Sequence, residues 1–250
     1  MDESDPTTPS RFPKVSVITV CYNSLDIIEG TLNSVLAQDY PELEYVVVDG
    51  NSSDGTSAVL QRYAHKLGQL LSEPDRGVYD AMNKGIRLAT GEYLLFMNAG
   101  DLFASSTALR ELLGRSSADV IYADFNYLSG PRQGRVRADF PRGIFNHQSV
   151  LYRRELHQTH GGYVSVKGLT AADYLFFMTL QASTSAVAFE WVDTVVASVD
   201  PNGMSAGPQT FLQVGLTDCL LQRRSRYATA FRIAVHPMFN QLRKLVRRFQ

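Results

Sequence analysis

Cysteine is nearly absent: Cys21 and Cys219 are the only two in 250 residues, far apart and in no ligand-like spacing. That excludes a disulfide framework and a cysteine-built zinc site, and both thiols read as small buried side chains. Long apolar runs are also missing. No stretch approaches the roughly 20 residues that a membrane-spanning helix needs, and the opening MDESDPTTPSRFP is polar and acidic rather than a leader sequence. The expected location is cytoplasmic. Acids are absent from Cys219 to Gln250, where Arg223, Arg224, Arg226, Arg232, Arg243, Lys244, Arg247 and Arg248 supply eight positive charges. Against a formal net charge of −1, the first 218 residues then carry about −9. A basic tail on an acidic body calls for a partner surface of negative charge, and no nucleic acid is expected.

What is present describes a globular protein. Hydrophobic residues make up 44% and aromatics 10%, enough for a packed core in one large domain or two small ones. Residues 1–13 are rich in Pro, Ser, Thr and Asp and are expected to be disordered. VSVITV from Val15 reads as a strand and Ile27 to Gln38 as a helix. YVVV is a second strand ending at Asp49-Gly50, followed by a helix from Thr56 to Leu67. A third helix spans Val78 to Leu88, and Tyr93 to Met97 is a third strand. This alternation predicts an α/β fold with parallel strands, crossover helices and functional groups at the carboxyl ends of the strands.

Beyond about residue 115 the alternation loosens. VIYADFNYL, a turn at SGPRQG, and RVRADF suggest a mixed sheet. A loop PRGIFNHQS and a short apolar strand come next, then a helix from Ala171 to Gln181, a strand VAFEWVD and a helix from Phe211 to Arg224. The expected division is 1–13, 14–115, 116–207 and 208–250.

Asp49, Asp54 and Asp101 recur at one edge of the predicted sheet, where a carboxylate either accepts hydrogen bonds from a base or ribose or caps the next helix. Asp75, Arg76 and Gly77 precede a helix that aligns Tyr79, Asp80, Asn83 and Lys84. Their i,i+3 and i,i+4 spacing fits a salt-bridged helix face, or a polar wall whose cations neutralise a phosphate.

VSVITVCYN, VVVDGNSSDGT and DRGVYDAMNKGIRLATGEYLLFMNAGD, in this order and spacing, resemble glycosyltransferase family 2. Within it, the chain is similar to bacterial exopolysaccharide, colanic-acid and O-antigen enzymes, from about Val15 to Asp200. The resemblance implies a GT-A fold: a Rossmann-like, mostly parallel central sheet flanked by helices, with a nucleotide-sugar-binding half continuous with an acceptor-binding half. It implies inverting transfer of a hexose-type sugar from a nucleotide-sugar donor, with Mg²⁺ or Mn²⁺. By position, Asp49 would hold the nucleobase or ribose with Asp54 supporting the loop, and the backbone near Thr19, Tyr22 and Asn23 would line the base pocket. Arg76, Tyr79, Asp80, Asn83 and Lys84 would lie beside the sugar diphosphate. Asp101 matches the last acid of the family's DxD-type motif, which holds the metal. Asn98 and Gly100 depart from the usual DSDD pattern, so the site has lost up to two carboxylates, with Asn98 left as a neutral contact.

GLTAADYLFFMTLQ resembles the helix that supplies the family's base, and Asp173 takes its place; capping that helix is the other role open to it. Tyr174, Phe176 and Phe177 read as core or, less readily, as a sugar-stacking surface. His147, before Gln148 in FNHQSVLYRREL, is a candidate contact to the diphosphate or acceptor. Asn202, Gly203 and Ser205 lie in a loop expected over the site. In the tail, Phe239, Leu242, Leu245, Val246 and Phe249 share one helical stripe beside Arg243, Lys244, Arg247 and Arg248. That pattern suits an anionic bilayer, or a helix packed on its own protein. A lipid-linked saccharide acceptor would make attachment to the inner face of the cytoplasmic membrane useful.

Two other classes remain open. A sugar nucleotidyltransferase calls for a Gly-rich basic loop after the first strand, which CYNSLDIIEG does not supply. A non-catalytic nucleotide-binding relative would be consistent with NAGD.

Overall fold

The computed structural model describes residues 12–128, 133–183, 186–200, 207–223 and 225. The expectations for residues 1–11, for the loop with Asn202, Gly203 and Ser205, and for the 238–250 tail lie outside these residues.

The chain forms two compact units, one within 1–165 and 188–201, the other within 166–187 and 202–250. In the first, Val15–Cys21 (β1), Leu43–Asp49 (β2), Gln69–Ser72 (β3) and Tyr93–Phe96 (β4) pair in parallel in the order β3-β2-β1-β4. Both β1 and β4 are buried throughout and mostly apolar, with Ser16 and Thr19 the polar side chains of β1. Ile28–Leu36 (α1), Thr56–Tyr63 (α2) and Val78–Leu88 (α3) make the connections. Ile28, Leu32 and Val35 of α1 fall at helical spacing and sink into the core with Val15, Val17, Val47 and Leu95.

The sheet continues past β4 through Leu102–Phe103 (β5), Val120–Tyr127 (β6), Gly134–Val136 (β7), Val150–Arg153 (β8) and Phe189–Val199 (β9). β8 joins β4 antiparallel, β6 follows, β9 lies parallel to β6, and β5 closes this edge antiparallel to β9, with β7 paired to β6. One sheet therefore spans the expected boundary at residue 115. Ala108–Leu113 (α4) and Glu155–His160 (α5) complete this unit.

The sequence expectations hold for the long elements and for the short strands β4 and β8, but miss several other short ones. The helix expected to reach Leu67 stops at Tyr63, turns once more through Ala64–Lys66, and yields to β3. β3 is a half-exposed edge strand with no alternating pattern to read. The two-residue β5 and six-residue α4 and α5 carry too little periodicity to be recognised. VAFEWVD extends to Val199 because its partner β6 continues alongside it.

The second unit contains Ala172–Ala182 (α6) and Pro208–Leu220 (α7). Tyr174, Phe176 and Phe177 are buried there, as expected. Tyr174 donates its hydroxyl hydrogen to Asp218 at 2.7 Å, and Thr170 bonds Thr210 at 2.7 Å and Gln213 at 2.8 Å. Cys21 is buried, while Cys219 on α7 is only partly covered.

Candidate functional site

The end of β4 places Asn98 and Asp101 in a short turn closed by the Asp101 N–H on the Asn98 carbonyl at 3.0 Å. Thr31, fully buried on α1, pins this turn from one side: its hydroxyl donates to the Asp101 carbonyl at 2.9 Å and accepts from the Gly100 N–H at 3.0 Å. Gly100 has φ of 95°, a conformation that disfavours the aspartate found in a DSDD pattern. The sequence departure at Gly100 therefore has a backbone cause.

Asp101 Oδ2 accepts from Gln148 Nε2 at 2.5 Å. A second neighbour comes from the β5–β9 ladder, where Leu102 opposes Ser198: Asp200, whose backbone hydrogen-bonds Asp101. Burial pushes the Asp101 carboxyl up to about 7, against hydrogen bonds from Gln148 and the Asp200 backbone that favour the charged form. Asn98 Oδ1 is buried without a hydrogen-bond partner. A desolvated carboxylate and an orphaned amide oxygen are hard oxygen donors, the type a Mg²⁺ or Mn²⁺ ion takes. The residues therefore fit such an ion in kind. Among the described residues, no group of three His, Cys, Asp or Glu side chains is able to hold one alone.

At the ends of β1 and β2, Asp49 is fully buried and accepts from the Ser52 hydroxyl at 2.5 Å and the Ser72 hydroxyl at 2.6 Å. Asp54 accepts from the Leu25 N–H at 2.9 Å and the Thr56 hydroxyl at 2.6 Å, tying the loop after β1 to the start of α2. The Thr56 hydroxyl bond lowers the Asp54 carboxyl below the usual range. Asn23 reinforces the same joint, accepting from the Ser53 N–H at 2.9 Å. Tyr22 is 63% exposed. A Cβ on Gly50 would stand 3.2 Å from the Tyr22 ring and 2.4 Å from Asp75, so only glycine lets these three segments converge. Thr19 is directed inward, bonded to Met97 O at 2.7 Å and the Tyr45 hydroxyl at 2.9 Å, so any part it has in lining the edge is through its backbone.

The side chains of the α3 face are engaged within the chain. Lys84 is buried, donating to Pro74 O at 2.7 Å and pairing with Glu73 at 2.9 Å, so its charge is compensated internally. Asn83 clamps Tyr163, accepting from its N–H at 2.9 Å and donating to its carbonyl at 2.8 Å. Tyr79 is buried with its ring 5.8 Å from that of Tyr163. Lys84 and Asn83 thus bond backbone groups of their own chain. Arg76 differs, since its side chain is 85% exposed while its guanidinium meets Asp80 at 3.2 Å. His147 is buried against Phe96, ring centroids 4.8 Å apart, and bonds the Tyr163 hydroxyl at 3.0 Å.

In the second unit, Asp173 lies in the first turn of α6 and is partly exposed. The N-cap position of that helix is Ala171. Sequence reading missed Gln148, Tyr163 and Asp200 as site neighbours. The HQ pair was a signal for the first; no local pattern marks the others.

The parallel β3-β2-β1-β4 half, extended by mixed strands and bearing its acids at strand ends, is the GT-A architecture of sugar-transfer enzymes. S. aureus TarS has this fold: its 1–349 form in complex with UDP-GlcNAc superposes with a TM-score of 0.68 at 20% identity, covering 82% of this chain and 66% of that one. This chain spans 40% of the longer TarS chain. The mannosyltransferase PcManGT of Pyrobaculum calidifontis, in complex with GDP-Man and Mn²⁺, gives a TM-score of 0.63 at 26% identity over 87% of this chain and 66% of its own. A PGL/p-HBAD biosynthesis glycosyltransferase of Mycobacterium tuberculosis is 34% identical over 203 residues, 76% of this chain and 78% of that protein. Residues 16–168 match the family described as Glycosyl transferase family 2, and the chain belongs to it.

Proposed function

We propose that this protein is an inverting hexosyltransferase that moves a sugar from a nucleotide-sugar donor to a lipid-linked saccharide in cell-surface polysaccharide or glycolipid synthesis. The observation that carries the reading is the presence of a half-buried Asp101 carboxylate and the orphaned Asn98 oxygen in one turn at the end of β4. Asp101 and Asn98 would hold Mg²⁺ or Mn²⁺ together with the donor phosphates, and the ion when bound offsets charge developing on the departing nucleoside diphosphate. Asp49 and Asp54 keep the β1 and β2 loops in register, with exposed Tyr22 offering a stacking face to the base. Arg76 is the accessible cation for the diphosphate. Asp173 takes the proton of the acceptor hydroxyl as it attacks the anomeric carbon.

Attachment to the inner face of the cytoplasmic membrane is supported by α7, where Leu212, Leu216 and Leu220 recur at four-residue spacing and are 40%, 48% and 79% exposed. Among the described residues, no helix is long and apolar enough to cross a membrane.

Mn²⁺-dependent hydrolysis of UDP-, GDP- and dTDP-sugars tests the reading. Turnover of one donor, reduced at least about 10²-fold by Asp101→Ala, is expected. Nucleotide binding without turnover of any donor would favour the non-catalytic relative.

A further inference from the structure

Four buried rings of the first unit are joined by hydrogen bonds, and the direction of each bond follows from the one at the far end. His157 Nδ1 lies 2.9 Å from the Gly161 carbonyl, which only accepts, so Nδ1 carries the hydrogen. Burial pushes the His157 imidazole down to about 4, so the ring is neutral and Nε2 is an acceptor. The Tyr152 hydroxyl at 3.0 Å therefore donates to it. Its oxygen accepts from the Tyr163 hydroxyl at 2.8 Å, and the Tyr163 oxygen accepts from His147 Nε2 at 3.0 Å.

The line is anchored at Tyr163 and at its His147 end. Asn83 of α3 clamps the Tyr163 backbone, and the His147 ring lies against Phe96 of β4. His147 opens the single-turn helix His147–Ser149, which Asn146 caps by accepting from the Gln148 N–H at 3.0 Å. The next side chain along that turn, Gln148, bonds Asp101.

We infer that His147 is a positioning residue, fixed by this chain with its Nε2 hydrogen donated to Tyr163, and that it acts through its turn to hold Gln148 against Asp101. The importance of that contact rests on the role proposed for Asp101. The readouts below do not depend on turnover, so the two readings fail separately.

Long-range ¹H–¹⁵N spectra of the wild-type protein should show opposite tautomers, His157 protonated on Nδ1 and His147 on Nε2. Tyr163→Phe should release the His147 preference while His157 keeps its own. Exchange of the Gln148 side-chain amide should quicken by about tenfold. Gln38, whose amide donates to Ser105 O at 2.7 Å, is the internal control and should not change. Tyr152→Phe cuts the line one bond earlier and should give the same loss at His147. Identical tautomers at His147 and His157 in the wild type would overturn the inference. So would an unchanged Gln148 amide, or equal changes at Gln148 and Gln38.

Discussion

Asp173 and Asp101 are both acids of a sugar-transfer enzyme, yet their surroundings suit them to different work. Asp101 is desolvated and hydrogen-bonded by a neutral amide, which keeps the negative charge costly until a cation arrives. Asp173 is partly exposed in the first turn of α6, so its carboxyl group is reachable from solvent. Asp173→Asn preserves shape and removes proton affinity. Sugar transfer should fall by about 10²- to 10⁴-fold, while nucleotide affinity, followed by calorimetry, stays within about twofold. Transfer at the wild-type rate would remove Asp173 from the mechanism.

At the scale of elements, the two ends of the parallel strands divide the labour. The carboxyl ends carry Asp49 and the Asp101 turn; near the opposite end Glu44 ties β2 to its neighbours. Glu44 is 8% exposed and accepts from the Ser16 hydroxyl of β1, the Thr90 N–H at 2.7 Å, the Thr90 hydroxyl at 2.6 Å and Lys14 at 3.0 Å. Burial works against its charge, but these bonds outweigh it and hold the carboxyl down at about 2, against 4.5 for an ordinary glutamate. The unfolded chain therefore binds the extra proton between about pH 4.5 and 2, and stability falls as pH drops through that window. Urea unfolding should show Glu44→Gln less stable by about 1–3 kcal/mol at pH 7, with the gap narrowing toward pH 2. A gap independent of pH would show that shape rather than charge matters there.

The same elements explain what the sequence made legible. β2 and β4 are mostly apolar buried strands with Asp49 and Asp101 at or just past their ends, so strands and candidate carboxylates are visible together. Gln148 and Asp200 come to Asp101 through antiparallel pairings made by short β8 and two-residue β5, whose partners lie about 50 and 100 residues away. Lys84 and Asn83 were legible as a helix face but not as inward-facing, because their partners, Pro74 and Tyr163, are backbone carbonyls that any residue supplies.

For the whole molecule, the uneven charge is the feature with a physical consequence outside the site. The stretch from Cys219 onward holds eight cations and no acid, following a body of about −9. Such a body is repelled by an anionic bilayer, so attachment needs a local basic segment close enough to escape screening beyond a Debye length of about 8 Å. Four of the eight cations, Arg243, Lys244, Arg247 and Arg248, lie within 238–250. At about 1 kcal/mol for each basic residue near the surface, removing them should cost about 4 kcal/mol, or about 10³-fold in partitioning. Deleting residues 238–250 should abolish sedimentation with vesicles of anionic lipid, and raising salt should release the intact protein. If the deletion weakens binding but leaves a salt-insensitive remainder, replacing Leu212, Leu216 and Leu220 by serine should remove it, because apolar burial is not screened by ions. Binding that survives both changes would exclude the C-terminal part of the chain as the attachment surface.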